Sequence, residues 1–280
     1  MLKAYYKLAK PGIIYGNLIT CIAGYLMASR LNIYRLSFIG VVVGTTLVVA
    51  AASVVNNIYD KDIDLLMERT KKRPSASGVI KPLPGLVYGA ILAIIGFTSL
   101  IIWTNYLTTL IASLGFIIYV VFYSYFKRKT HYATIIGSFS GAAPIVGGYV
   151  AYSNHLTSTA LTIGLMMLIW QLPHFYAIAI YREKDYRAAA IPVLSVVAGK
   201  KVTSYWLIFF SFIFLITSIA LYWQSSVGLA YLIVMSLTGL AWLTINLYGL
   251  VTKSLDRWAK KSFFTSLAVV LIMSFMLSIR

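Results

Sequence analysis

The sequence predicts an all-α integral membrane protein, with nine transmembrane helices in one bundle, the amino terminus cytoplasmic and the carboxyl terminus outside. Three observations predict it. The chain is 60% hydrophobic, only 11% charged, and has a mean hydropathy of +0.84, which excludes a water-soluble globular domain. Its apolar runs are each about 20 residues long, the length a helix needs to cross about 30 Å of hydrocarbon. Lys and Arg lie between those runs and alternate with their order along the chain, as the positive-inside rule requires.

In order, the spans fall at about 12–29, 36–59, 84–103, 106–126, 133–152, 159–181, 202–223, 227–251 and 262–279. With the amino terminus inside, 21 of the 24 Lys and Arg are cytoplasmic, and only Arg30, Arg35 and Arg280 remain outside. A miscounted span breaks this alternation. The whole chain, 1–280, reads as a single transmembrane domain. Lys3, Lys7 and Lys10 resemble the start of a signal peptide, but no small-residue cleavage site follows, so the first run is read as a retained span. No transit-peptide pattern precedes it, which points to a prokaryotic cell membrane rather than a mitochondrion. The net charge of +17 is accounted for by topology and gives no reason to expect nucleic acid. Cys21, the single cysteine, permits neither a disulfide framework nor a cysteine metal site.

Outside connections such as 104–105 and 224–226 are very short and tie neighbouring helices into antiparallel hairpins. The cytoplasmic connections after spans two and six, about 60–83 and 182–201, are long, and long loops are usually functional. Six of the seven acidic residues lie at these two places: Asp60, Asp62, Asp64 and Glu68 at the first, Glu183 and Asp185 at the second.

Asn56, Asp60 and Asp64 are spaced by four. If the helix of span two continues beyond the membrane, they share one slowly drifting face, Glu68 extends the row and Asp62 points elsewhere. Hard oxygen ligands without paired His or Cys suit Mg²⁺, which bridges carboxylates to phosphates. Arg69, Lys71, Lys72 and Arg73 follow directly and supply donors for an anionic phosphate. Salt bridges among these same residues on a solvated loop are the plainer reading, but the scarcity of acids elsewhere favours a metal–diphosphate site. In span six, Pro173 should kink the helix beside a cavity. Gln171, His174, Ile178, Arg182 and Asp185 follow helical spacing towards the second acidic loop. At the end of span four, Tyr123 and Lys127 stand four apart, so that a phenol and an ammonium can meet one anion. Arg128 serves either that anion or topology, and Lys129 is explained by topology alone.

The Asn56-x-x-x-Asp60-x-x-x-Asp64 pattern within nine spans resembles the UbiA superfamily of intramembrane aromatic prenyltransferases. Most members carry a second Asp-x-x-x-Asp after span six, and this chain does not. It has His174-Phe175, then Arg182-Glu-Lys-Asp185-Tyr186 and Ala-Ile-Pro192. With Asp62-Ile-Asp64, Met67-Glu68-Arg69-Thr70, Arg73-Pro74, Lys127-Arg128 and Gly141-Ala-Ala-Pro144, this resembles the haem-farnesylating branch of the superfamily. The likeness runs from Lys10-Pro11 and Asn17 to about Pro192, with Ala190 in place of an expected Gly and Val193 in place of Met.

The resemblance implies farnesyl diphosphate and haem b as substrates, Mg²⁺ as cofactor, and a product handed to a haem-A synthase or a terminal-oxidase assembly partner. Mg²⁺ is then held by Asn56, Asp60 and Asp64, and the diphosphate oxygens by Arg69, Arg73, Tyr123 and Lys127. His174 either contacts the haem iron or polarises the water that adds. Asp185 either holds a second Mg²⁺ or pairs with Arg182. Two other readings remain: a related prenyltransferase with a phenolic or lipid acceptor, and a cation or proton transporter. A transporter predicts acids at mid-span, whereas these lie at span ends.

Overall fold

A computed structural model describes residues 1–279; Arg280, counted above among the outside cations, lies outside the described residues. It is all-helical, with no strand among the described residues. Among the described residues, nine helices are long and apolar enough to cross a membrane: Pro11–Ser29, Arg35–Tyr59, Pro82–Trp103, Tyr106–Phe126, Ala133–Ser153, Ser158–Tyr181, Gly199–Trp223, Leu229–Leu250 and Leu255–Ser278. These agree with the predicted spans to a few residues, except that span nine begins seven residues earlier than the predicted 262. Asp256 and Arg257 there are polar enough to hide the start of the helix from hydropathy alone, and Lys200 donates to the Asp256 carboxylate at 2.6 Å.

Local chemistry sets the helix ends. Pro11 opens span one and Pro82 opens span three, where a missing N–H costs nothing. Asn105 caps span four by accepting from Thr108 N at 2.8 Å, and its amide reaches across to Val150 O at 2.9 Å. Span six stays helical through Pro173. The bundle is tightest where spans one and five cross. A side chain at Gly24 would strike the Ile145 carbonyl, and one at Gly148 the Cys21 carbonyl, so both backbones meet with no Cβ between them.

Many large apolar side chains face outward, among them Ile94, Ile102, Leu161, Leu237 and Phe275. In a bilayer that surface needs no other cover. Buried polar groups hold the later spans together. Asn246 donates to Ser211 Oγ at 2.7 Å and accepts from Ser262 Oγ at 2.6 Å, joining spans seven, eight and nine.

The two long loops are not independent. The first carries a short helix, Lys61–Leu66, and the second carries Glu183–Ala188 and Leu194–Val197. Ile63 and Met67 of the first bury against Ala189 and Ile191 of the second, with Tyr186 and Val193 packed beside them. This contact brings the two acidic segments to one end of the bundle, above a shared cavity.

Candidate active site

The helix of span two does not run on past its end. It stops at Tyr59, and Asp60 sits in a joint with φ −91° and ψ 2° before the next short helix begins. The break is shallow, because Asp64 N still donates to Asp60 O at 2.8 Å. Asn56, Asp60 and Asp64 therefore stay together and are all buried, at 2%, 3% and 1% exposure. Carboxylates so buried demand compensation. Each of the three residues has its own cation: Lys10 Nζ donates to Asn56 Oδ1 at 2.7 Å, Lys127 pairs with Asp60, and Arg73 Nη1 reaches both oxygens of Asp64 at 2.9 and 2.8 Å. Glu68 does not continue the row. It is exposed and pairs with Lys71.

A distortion in span four holds Asn56 in place. Residues Ile118–Tyr123 form a π-helical turn, the wide turn that commonly marks functional sites. Ser124 Oγ donates to Tyr119 O at 3.0 Å within that turn and accepts from Asn56 Nδ2 at 3.0 Å. With its amide nitrogen so engaged, Asn56 presents Oδ1 to Lys10 and to the Tyr119 hydroxyl at 3.3 Å. Tyr119 stacks on Tyr123, with ring centroids 5.3 Å apart, and Lys127 Nζ lies 5.4 Å from the Tyr123 centroid.

Below this mouth lies a cavity of about 720 Å³, within the range of small-molecule sites. Asn56, Asp60, Asp64, Arg69, Arg73, Tyr123 and Lys127 line its polar end, and His174, Phe175, Phe263, Leu267 and Val270 line an apolar part. Gln171 is buried, donates to Ser138 O at 3.0 Å, and occupies the space a side chain at Gly141 would need. His174 Nδ1 is 2.7 Å from Ser266 Oγ, and its ring stacks on Trp170 with centroids 4.9 Å apart.

Three predicted residues stand apart from the cavity wall. Arg128 holds Asp62 through two 2.7 Å bonds and the Tyr59 carbonyl at 2.8 Å, with Asp60 3.8 Å away. Arg182 is the joint after span six, and Asp185 beyond it lies 3.9 Å from Arg182. Gln171, His174 and Ile178 do share the cavity face predicted for them.

Sequence reasoning missed Lys10, Asn57, Tyr119 and Ser124 as members of the site. Asn57 donates to Leu8 O at 2.7 Å and accepts from Arg73 at 3.3 Å, docking the amino-terminal helix onto the site. A lysine directly before the proline that opens a span was the available signal for Lys10. Ser124 and Asn57 left none.

The electrostatics follow the burial. Lys10 is pushed down to about 7, chiefly by burial, with Arg73 and Lys127 adding repulsion against the pull of Asp60 and Asp64. Burial also lowers Lys127, while its Asp60 partner opposes the shift. The Arg128 guanidinium holds the exposed Asp62 at about 2.

As a metal site, the cluster offers two carboxylates and an amide oxygen. No group of three or more His, Cys, Asp and Glu comes together among the described residues. Asp60 Oδ1 is buried and has no hydrogen-bond partner among the described residues. A donor set made only of oxygen, with one carboxylate oxygen unused, fits a hard divalent cation that completes its shell with water and phosphate.

The UbiA prenyltransferase family model matches residues 17–268. The protoheme IX farnesyltransferase of Protochlamydia amoebophila (strain UWE25) is 43% identical over 274 residues, covering 98% of this chain and 97% of its own. That of Yersinia pseudotuberculosis serotype O:1b is 42% identical over 280 residues, covering 100% and 95%. Among solved structures, a digeranylgeranylglyceryl phosphate synthase superposes with a TM-score of 0.82 at 21% identity, covering 99% and 98% of the two chains. A UbiA homologue of Archaeoglobus fulgidus bound to DMAPP and Mg²⁺ gives 0.76 at 14% identity, covering 95% and 98%. These last two support the fold, and the closer relatives the branch. The chain belongs to the UbiA prenyltransferase family, among its protoheme IX farnesyltransferases.

Proposed function

We propose that this protein transfers a farnesyl group from farnesyl diphosphate to a vinyl group of haem b, in a cell membrane and with the polar mouth on the cytoplasmic side. The observation that carries the reading is the ring of three buried oxygen residues, each already paired with a cation, above an apolar cavity that reaches His174. Only a substrate with an anionic head and a lipid-like body matches both ends of that space.

Asn56, Asp60 and Asp64 would hold Mg²⁺, which supplies charge neutralisation to a leaving diphosphate. Arg69 carries no ion pair among the described residues and lines the mouth, so it is available to diphosphate oxygens as charge grows on them. Arg73 and Lys127 release their carboxylates and turn to the same oxygens. The C1–O bond of the farnesyl chain breaks, C1 bonds to the terminal vinyl carbon, and the electron deficit passes to the carbon beside the pyrrole. Water adds there and loses its proton, leaving a hydroxyethylfarnesyl side chain and diphosphate. Tyr119, Tyr123 and Phe116 offer ring faces to the allylic cation, and the apolar wall keeps stray water from it. The product then passes to a haem-A synthase or a terminal-oxidase assembly partner.

Membranes containing the protein, given haem b, farnesyl diphosphate and Mg²⁺, should yield a more hydrophobic haem whose mass gives the prenyl length. No such haem, together with prenylation of a phenolic acceptor, would overturn the assignment.

A further inference from the structure

The hydrogen-bond network around His174 determines which ring nitrogen carries the proton. Ser266 has a single hydroxyl proton, and it donates that proton to Phe263 O at 2.6 Å. Towards His174 Nδ1, 2.7 Å away, Ser266 Oγ can therefore only accept. The imidazole is thereby held with hydrogen on Nδ1, leaving Nε2 as a bare lone pair. Nε2 has no hydrogen bond among the described residues, yet it is not among the buried unpaired atoms, so it is open to the cavity that His174 lines. Trp170 and Phe263 flank the ring, each with its centroid 4.9 Å away, and Trp170 Nε1 is tied to Ser266 O at 3.0 Å. A neutral imidazole with one nitrogen anchored through its N–H and the other directed into an apolar site is the arrangement that metal-ligating histidines adopt.

We propose that His174 Nε2 is the axial ligand to the iron of the porphyrin acceptor, and that Ser266 is the positioning residue that fixes its tautomer and ring plane. The inference rests on haem b being the acceptor. His174 lies seven residues before the end of its helix, on the order of 10 Å into the span, whereas Asn56 is three residues from the end of its own. Iron held at that depth leaves the porphyrin edge, which bears the vinyl groups, free to rise towards the diphosphate end.

The test uses the full chain in lipid nanodiscs without Mg²⁺, so that no turnover occurs, with ferrous haem b as the probe and the iron–histidine stretch read by resonance Raman. Wild type should show the stretch. His174→Gly should lose it and regain a ligated spectrum with added imidazole, whereas His131→Ala, the variant of the other cavity histidine, should keep it. Ser266→Ala should retain haem but shift the stretch to lower frequency, and Ser266→Thr should restore it. Persistence of the signal in His174→Gly, or its loss in His131→Ala, overturns the proposal, as does wild type binding haem without a nitrogen ligand. If wild type also makes farnesylated haem, only the ligand assignment has failed. If wild type neither binds nor farnesylates haem, the function proposed above fails with it.

Discussion

Arg73 grips Asp64 through one guanidinium nitrogen, Nη1, which meets both carboxylate oxygens at 2.9 and 2.8 Å and also donates to Asn57 Oδ1 at 3.3 Å. A guanidinium suited to phosphate thus neutralises a carboxylate suited to a metal. Lys127 and Asp60 repeat the arrangement across the cavity. Substrate and cation would exchange these partners together, each taking the group the other had been shielding.

Asp60→Asn and Asp64→Asn should each lower turnover by more than about 100-fold, since losing even outer-shell partners of a metal costs 10–100-fold. Both proteins should still elute as folded species in detergent. Full activity in both, by the haem-product assay, would remove these residues from the metal site.

Arg69 and Arg128 should separate cleanly. Arg69→Ala should raise KM for the diphosphate substrate about tenfold, the cost of one charge-assisted hydrogen bond of about 1.5 kcal/mol, with thermal stability unchanged. Arg128→Ala frees Asp62 and the Tyr59 carbonyl, and should alter KM by less than about twofold, because a surface ion pair contributes about 0–1 kcal/mol. Steady-state kinetics on both variants decides between diphosphate contact and support of the loop.

Removal of divalent metal by EDTA should stop diphosphate release, and Mg²⁺ should restore it where K⁺ does not. Release that continued in EDTA would leave Arg69, Arg73 and Lys127 as the whole of the leaving-group chemistry.

A Cβ added at Gly137 would stand 2.8 Å from Cδ2 of Tyr123 and displace the ring stacked on Tyr119. Gly137→Ala should therefore lower kcat/KM about tenfold. Gly228→Ala, where no atom of the described residues lies within 4 Å, should behave as wild type.

Asn246→Leu breaks the bonds to Ser211 and Ser262 that link spans seven, eight and nine. Polar contacts between membrane helices contribute about 0.6–2 kcal/mol, so the loss should appear as a modest fall in detergent-unfolding midpoint with activity kept.

The spans were legible because nine apolar runs of membrane-crossing length stand apart in the sequence. The first acidic cluster was legible because carboxylates are rare here and spaced by four. Burial went unread: Asn56, Asp60 and Asp64 lie almost wholly inside, although their motif looks like a solvated loop. Glu68 shows the converse, since its spacing matched the row but a single turn beyond the short helix faced it to solvent. Contacts between distant positions left no trace in periodicity. Ser266 sits 92 residues from His174, and only the packing of span nine against span six brings them together.

The widened turn at Ile118–Tyr123 carries a consequence for how this chain tolerates insertion and deletion. A lipid-facing helix absorbs the loss of one residue by sliding or tilting, at a small cost in hydrophobic mismatch. Span four has no such freedom. Removing a single residue from its ordinary α-helical part, with the wide turn kept, would swing everything after it by about 100°, carrying Lys127 off Asp60 and Ser124 off Asn56. The length of this helix is thus set by the register of its last turn rather than by the thickness of the bilayer.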